Sequence, residues 1–223
     1  VPYRDNSFIG DTRLGGPCNF ETYKLTPHCN GTHTECIGHI TDERVSIHLS
    51  LKDIFFTSTL ISVHPTKNKE SYIPELNTND LVITKELLYN QLNNVPLDYL
   101  DGLIIRTTPN LSKKTSIDYM KNPPPFFTIE AMKYIRKLGV KHLLVDIPSV
   151  DRLFDDGHLS CHNIFWDTRE KKYNEKTKNF TITEMIYVDD KIKDGHYLLN
   201  LQIPSFVSDA APSRPIIYKL NDI

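Results

Sequence analysis

The residues best suited to chemistry lie close together in the segment His28-Cys-Asn-Gly-Thr-His33-Thr-Glu35-Cys-Ile-Gly-His39. Three imidazoles and a carboxylate surround Gly31, which allows the backbone to turn so that separated side chains converge. Imidazole and carboxylate together suit zinc, manganese or iron better than they suit an ion that takes only oxygen ligands. The segment therefore predicts a metal site or a catalytic site.

Backbone geometry predicts how these side chains meet. If residues 33–35 are extended, the period of two places His33 and Glu35 on the same side, and a turn at Asn30-Gly31 returns His28 to that point. His39 is a candidate for a fourth ligand or for proton transfer, because imidazole titrates near neutral pH. The alternative, a set of ordinary polar loop residues, is disfavoured by the number of ligand-type side chains.

The remaining histidines and the cysteines suggest no second site. His48, His64, His142 and His196 are isolated, which is typical of hydrogen-bonded surface or core residues. Cys18, Cys29, Cys36 and Cys161 have no CxxC spacing, so we expect reduced thiols in a cytoplasmic protein. Zinc ligation by Cys29 and Cys36 is an alternative, although structural zinc thiolates usually come as tightly spaced pairs.

Length and charge limit the class of protein. A chain of 223 residues predicts one domain over 1–223. The 26 basic and 28 acidic residues are interspersed, which predicts no nucleic-acid or membrane partner but a small molecule or a second copy. No apolar run approaches the roughly 20 residues that span a bilayer. The chain starts at Val1 without Met, which leaves open missing upstream residues and a removed signal peptide.

Helix and strand signals alternate along the chain. Thr84 and Thr128 are N-cap candidates for helices over 84–92 and 129–138, and Gly139 stands where the second helix should stop. Apolar runs and apolar–polar alternation predict strands at 19–26, 60–63, 101–105, 140–147, 180–188, 196–203 and 215–218. The polar stretch 113–122 predicts an exposed connection. The predicted fold is a sheet-rich, mixed α/β domain.

The histidine-rich segment resembles the signature HxGTHxDxPxH of the cyclase family of metal-dependent hydrolases, which includes kynurenine formamidase and isatin hydrolase. Gly31-Thr32-His33 and the closing His39 match it. His28 stands one residue further from the glycine than usual, Glu35 replaces an aspartate, and Cys36-Ile37 replaces a step from a small residue to proline. Glutamate keeps the carboxylate and adds a methylene, so coordination is retained with altered spacing.

Two later segments extend the resemblance to residues 22–206. Val145-Asp-Ile-Pro-Ser149-Val-Asp151 is similar to a strand end that the family follows with a metal-binding histidine. His162 fits that role better than its rival His158, because a helix continuing through Ile164 would hold the ligand rigidly. Glu184, in Thr183-Glu-Met-Ile, matches the family's last metal-binding glutamate.

The resemblance implies the swivelling β/β/α fold and two divalent ions, Zn²⁺ or Mn²⁺, in a homodimer or homotetramer. His28 and His33 would bind one ion and His162 the other, with Glu35 and Glu184 as bridges, and the ions would activate a water. His39 would carry the proton to the leaving nitrogen. In a one-metal version, Glu184 would only support a ligand.

The implied reaction is hydrolysis of a C–N bond in a small amide, with N-formylkynurenine as the leading substrate. Isatin-type ring opening and a catalytically silent, metal- or ligand-binding member are the alternatives. Family formamidases place a tryptophan near the N-terminus, whereas the one tryptophan here is Trp166, which leaves Tyr3, Phe8 and Phe20 as aromatic substitutes.

Overall fold

A computed structural model describes residues 4–5 and 8–220, and its main feature is an eight-stranded sheet with the order β10-β8-β2-β4-β6-β7-β1-β9. A second, two-stranded sheet pairs β3 with β5. The strands are β1 (His33–Cys36), β2 (Phe55–Val63), β3 (Val82–Ile83), β4 (Gly102–Thr107), β5 (Phe126–Phe127), β6 (His142–Val145), β7 (Thr181–Glu184), β8 (Gly195–Asn200), β9 (Ala210–Pro212) and β10 (Ile216–Lys219). The helices are α1 (Pro27–Asn30), α2 (Ile47–Ser50), α3 (Lys85–Leu92), α4 (Ile129–Lys137) and α5 (Ser160–Trp166). The predicted mixed α/β, sheet-rich fold is confirmed; the single domain over 1–223 stays a prediction.

The centre of the large sheet is parallel, and its margins are antiparallel. Strands β2, β4, β6 and β7 run parallel, while β1 and β9 on one side and β8 and β10 on the other are added antiparallel. Every residue of β4 is buried, as expected for a parallel strand covered on both faces. Two apolar clusters provide the cover: Leu88, Met132 and Phe165 belong to one, and Ile47 and Leu199 to the other.

The two longest predicted helices begin where their cap residues predict. The hydroxyl of Thr84 accepts a hydrogen bond from the Leu87 amide, and that of Thr128 accepts one from the Ala131 amide. Each bond satisfies an amide that the first helical turn leaves without a partner. Gly139 follows α4 with a φ of +83°, a left-handed conformation that glycine adopts without strain.

One prediction about local structure was wrong, and a second was right except at one lysine. Residues 19–26 form no strand; Tyr23 is 77% exposed and Leu25 46% exposed, so the alternating pattern has no apolar surface to cover. The 113–122 stretch is mostly exposed, as predicted, but Lys114 is an exception. Lys114 lies largely buried and donates hydrogen bonds to Asp146 Oδ2 at 2.7 Å and to Thr107 Oγ1 at 2.9 Å, which fixes the stretch against the end of the sheet.

The buried His142 predicts a measurable dependence of stability on pH. It packs on Phe56, with ring centroids 3.8 Å apart, and burial lowers its pKa from 6.5 to about 4. As the pH falls below 6.5 the unfolded chain takes up the proton first, so stability present above pH 6.5 is lost progressively down to about pH 4. This lowering of the His142 pKa corresponds to about 3 kcal/mol of folding free energy.

We expect His142→Gln to remove this contribution. Urea unfolding between pH 7 and pH 4 should show a shallower loss of stability in the variant than in the wild-type protein. The comparison uses slopes, because the substitution also changes the contact with Phe56 at every pH. Parallel curves would show that His142 is not the titrating group.

Candidate metal centre

The two central side chains of the site come from β1 and face its neighbour β7. His33 and Glu35 are two residues apart on extended backbone and are both fully buried. His33 Nδ1 lies 3.0 Å from the Gly31 carbonyl oxygen, which can only accept, so Nδ1 carries a proton and Nε2 is directed inward. There Nε2 lies 3.5 Å from Glu184 Oε2, because His33 and Glu184 are direct partners in the β1–β7 ladder.

Helix α5 supplies His162, which an aspartate holds in place. Asp151 Oδ2 accepts hydrogen bonds from His162 Nδ1 at 2.6 Å and from the His162 amide at 3.0 Å. The other oxygen accepts the Cys161 amide at 2.7 Å and the Tyr72 hydroxyl at 2.8 Å. His162 Nε2 therefore faces the site, 3.0 Å from Glu35 Oε1. The rival His158 is exposed and lies outside this group.

His28 and His39 close the site on its solvent side. Their rings stack with centroids 4.2 Å apart, and each side chain is about one quarter exposed, at 25% and 27%. His28 Nδ1 lies 3.2 Å from Glu35 Oε2, and His39 Nε2 lies 3.7 Å from the same oxygen. The opposite nitrogens face Asp209 Oδ2, at 2.7 Å from His28 Nε2 and 3.2 Å from His39 Nδ1.

Among the described residues, two buried polar atoms inside the site have no hydrogen-bond partner. His33 Nε2 and Glu35 Oε2 are buried without such a partner, although buried polar groups in proteins are nearly always satisfied. One donor atom each from His28, His33 and Glu35 lie within 4.8 Å of one another. A second such set joins Glu35, His39 and His162, and a third joins His28, His39 and Asp209. Imidazole nitrogens and carboxylate oxygens at this spacing fit a divalent transition metal.

The charges of the site are strongly coupled. Burial opposes ionisation of Glu35, but the facing imidazoles of His39 and His162 outweigh it and hold the Glu35 pKa well below 4.5. Burial likewise disfavours a charge on His28, yet the carboxylates of Asp209 and Glu35 raise its pKa to about 10. Protons on the imidazoles therefore compete with a metal ion for the same nitrogens. Metal affinity at this site should fall as the pH is lowered.

All six residues predicted for the site come together in the structure. His28, His33, Glu35, His39, His162 and Glu184 converge between β1, β7 and α5, with Glu184 Oε1 also accepting the Val150 amide at 2.9 Å. Cys29 is exposed, and the buried Cys36 thiol donates to the Val45 carbonyl oxygen; burial raises the Cys36 pKa to about 11. Neither sulfur belongs to a candidate ligand set among the described residues.

Asp209 is the residue that the sequence did not reveal. An acidic residue before a short apolar stretch, Ala210-Ala-Pro212, is common in proteins, and only the pairing of β9 with β1 brings it to the site. Asp151 has a stronger sequence signal, since it lies in the Ser149-Val-Asp151 segment. Its contact with His162 Nδ1 holds that imidazole in place.

An open pocket of about 580 Å³ adjoins the site. Residues 28–32 lie on one side, and the rest is formed by residues 114–115, 117–120, 146, 148, 153 and 185–187. Tyr119 and Tyr187 are the aromatic side chains of this lining, whereas Phe8 packs on Phe20 and Tyr3 lies outside the described residues. Trp166 is buried behind His162, with ring centroids 5.6 Å apart.

The ion pair beneath this pocket predicts a large effect on stability. The Asp146 side chain is fully buried, and Lys114 is its one cationic partner among the described residues. Lys114→Met should leave an uncompensated carboxylate and destabilise the protein by about 3 kcal/mol. Urea unfolding measures this loss, with the exposed neighbour Lys113→Met as the matched control. Equal stabilities for the two variants would contradict the role given to the ion pair.

A family model described as a putative cyclase matches residues 2–152, a span that contains His28, His33, Glu35 and His39. A kynurenine formamidase from Bacillus cytotoxicus is 29% identical over 206 residues, which cover 92% of this chain and 82% of the relative. Helices long and apolar enough to cross a membrane do not occur among the described residues.

Three solved structures share this fold. A potential metal-dependent hydrolase with cyclase activity superposes with a TM-score of 0.61 at 17% identity, covering 87% of this chain and 80% of its own. Isatin hydrolase A from Ralstonia solanacearum gives a TM-score of 0.60 at 13% identity, covering 90% and 75%. An isatin hydrolase bound to the product analogue thioisatinate gives 0.56 at 14% identity, covering 86% and 72%.

Proposed function

The chain belongs to the cyclase family, and from that premise we propose that it is a metal-dependent hydrolase of a carbon–nitrogen bond in a small amide. The observation that carries the proposal is that two buried atoms, His33 Nε2 and Glu35 Oε2, have no hydrogen-bond partner among the described residues and lie inside a ring of imidazoles and carboxylates. In a purely structural core, buried polar atoms without hydrogen bonds would cost stability, whereas a metal ion would coordinate both atoms.

The proposed ligands are divided by the side of the site from which they come. His28, His33 and Glu35 surround one position, and His162 and Glu184 face Glu35 and His33 from the other side. Bound divalent ions would polarise the substrate carbonyl and lower the pKa of a coordinated water. Two ions, Zn²⁺ or Mn²⁺, are proposed because the donor sets overlap at Glu35. In the one-ion version Glu184 would only support a ligand. The hydrogen bond that Glu184 accepts from the Val150 amide favours this version.

His39 is proposed as the proton-transfer residue. Its Nε2 lies 3.7 Å from Glu35 Oε2, and its ring is about one quarter exposed, so it can reach both the site and the solvent. Amide hydrolysis requires a proton on the leaving nitrogen, since an amine anion is a poor leaving group. An imidazole on the open side of the site can take a proton from the attacking water and deliver it there.

We propose an arylformamide such as N-formylkynurenine as the substrate. The kynurenine formamidase relative, similar along 92% of this chain, supports the choice of a formamide. The adjoining pocket supports an aromatic group, because Tyr119 and Tyr187 provide ring faces and Met120 a flexible apolar surface. Isatin-type cyclic amides are the second candidate, which the fold shared with isatin hydrolases favours.

A catalytically silent member of the family is the contrasting hypothesis. Glu35 and the displaced His28 are the departures that motivate it. Against it stands the position of His28, whose Nδ1 lies 3.2 Å from Glu35 Oε2 despite the changed spacing. The presence of His39 beside the ligands also supports an enzyme, since a purely structural metal site needs no proton-transfer residue.

One experiment separates these hypotheses. Protein purified without chelator is analysed for metal content, then loaded with Zn²⁺ or Mn²⁺ and assayed with N-formylkynurenine, isatin and an aliphatic formamide. We expect close to two ions per chain and the highest kcat/KM for N-formylkynurenine. One ion would support the mononuclear version, and fully loaded protein without turnover would support the silent member. Protein that binds no divalent ion would overturn the proposal.

We propose a homodimer or homotetramer in the cytoplasm, with no nucleic-acid or membrane partner. The four cysteines are free thiols, which is consistent with a reducing compartment. Light scattering coupled to size exclusion measures the assembly, and a monomeric mass would refute this part of the proposal.

A further inference from the structure

We propose that Asp209 is a positioning residue that makes the displaced His28 usable as a ligand and aims His39 at the site. The inference rests on the proposed function, because it concerns how this chain holds a metal-binding imidazole. Asp209 Oδ2 contacts His28 Nε2 at 2.7 Å and His39 Nδ1 at 3.2 Å, so one carboxylate oxygen connects the two solvent-side imidazoles.

The sheet fixes the position of Asp209. Glu35 and Ala210 are direct partners in the β1–β9 ladder, and the Cys36 amide donates to the Asp209 carbonyl oxygen at 3.0 Å. The carboxylate therefore leaves the backbone next to the strand that carries the central ligands. Ser208 Oγ donates to Asp209 Oδ1 at 3.1 Å, which turns Oδ2 toward the two rings.

The direction of the hydrogen bonds decides which nitrogens face the metal position. An ionised carboxylate only accepts, so the His28 Nε2 and His39 Nδ1 that face it each carry a proton. The remaining nitrogens, His28 Nδ1 and His39 Nε2, then point at Glu35 Oε2, at 3.2 Å and 3.7 Å. A carboxylate behind a metal-binding imidazole fixes the ring orientation and increases its basicity.

The unusual spacing in the sequence explains why this support is needed. The exposed Cys29 stands one residue nearer to Gly31 than His28 does, in the short helix α1. His28 reaches the site from one helical residue earlier, and its side chain remains 25% exposed. Without Asp209, a partly exposed imidazole could rotate away, because β1 restrains His33 and Glu35 but not His28.

A double-mutant cycle on metal affinity tests the first half of the proposal. Zn²⁺ dissociation constants are measured by competition with a chromogenic chelator for wild type, Asp209→Asn, His28→Ala and the double variant. Asp209→Asn is nearly isosteric, and circular dichroism confirms that each variant is folded. We expect Asp209→Asn alone to weaken Zn²⁺ binding by about 10- to 100-fold. In the His28→Ala background it should change affinity by less than about twofold.

Each other outcome has a distinct meaning. Additive losses in the double variant would overturn the proposal and make Asp209 a ligand in its own right. Unchanged affinity in the single variant would overturn it as well. Wild-type protein without Zn²⁺ affinity would remove the proposed function together with this inference, whereas wild-type affinity with an additive cycle would remove the inference alone. The exposed Asp53→Asn is the matched control and should bind Zn²⁺ as wild type does.

A second cycle on turnover tests the contact with His39. At saturating Zn²⁺, Asp209→Asn should lower kcat with little change in KM, because the residue does not line the substrate pocket. In the His39→Ala background the same substitution should leave the residual kcat within about twofold. A further fall in kcat there would show that Asp209 does not act through His39.

Discussion

Glu35→Gln should remove metal from the site and lower kcat/KM by about a thousandfold. The Glu35 side chain is fully buried and faces three imidazoles, with His162 Nε2 at 3.0 Å and His28 Nδ1 at 3.2 Å. The glutamine amide keeps the shape of the side chain but removes its negative charge. It also directs N–H groups at the imidazole nitrogens that face this position. Without metal the transition state loses several kcal/mol of charge stabilisation, which corresponds to a loss of about a thousandfold in kcat/KM.

Metal analysis after loading and the steady-state rate with N-formylkynurenine measure the effect. Glu86→Gln, at the exposed start of α3, is the matched control, and we expect it to keep both metal and turnover. Glu35→Asp provides the opposite comparison, because it restores the shorter carboxylate of the family signature. It should retain metal binding. Full metal content in Glu35→Gln would show that Glu35 is not a ligand.

Most of the elements could be predicted because their signals are local. Thr84 and Thr128 bind the amides that begin α3 and α4, and these contacts depend only on residues three positions apart. Apolar runs likewise predicted β4 and β6, since a parallel strand covered on both faces is mostly apolar. The prediction of a strand at 19–26 was wrong, because alternating apolar and polar residues form a strand only where a neighbouring strand and an apolar surface exist.

Some residues of the site could likewise be predicted from local patterns, whereas others depend on contacts between residues far apart in the sequence. The positions of His33 and Glu35 on one side of β1 follow from the period of two, and the family resemblance led to His162 and Glu184. The interactions of Asp209 and Lys114 could not be predicted. Asp209 is 170 residues from His39, and only the order of the strands brings them together. Lys114 lies in a polar, mostly exposed stretch, and its own burial depends on Asp146, 32 residues later.

His39→Ala should retain metal and lose turnover, by about 100- to 10,000-fold in kcat. The prediction follows from position, because the imidazole stacks on His28, is about one quarter exposed and lies 3.7 Å from Glu35 Oε2. His33, Glu35, His162 and Glu184 all remain in the variant, so the donors deepest in the site are intact. Metal content and kcat, measured on the same preparation, separate the two roles.

Chemical rescue makes the test specific for proton transfer. The His39 ring is partly exposed at the mouth of the site, so its removal should open a space that solvent reaches, and added imidazole should restore part of kcat. His64→Ala, an exposed histidine that contacts Thr108, is the matched control and should show neither the loss nor the rescue. If His39→Ala keeps near-normal turnover, the proton must travel by another route. If it loses metal, His39 is a ligand, and the division between binding and proton transfer at this site would have to be redrawn.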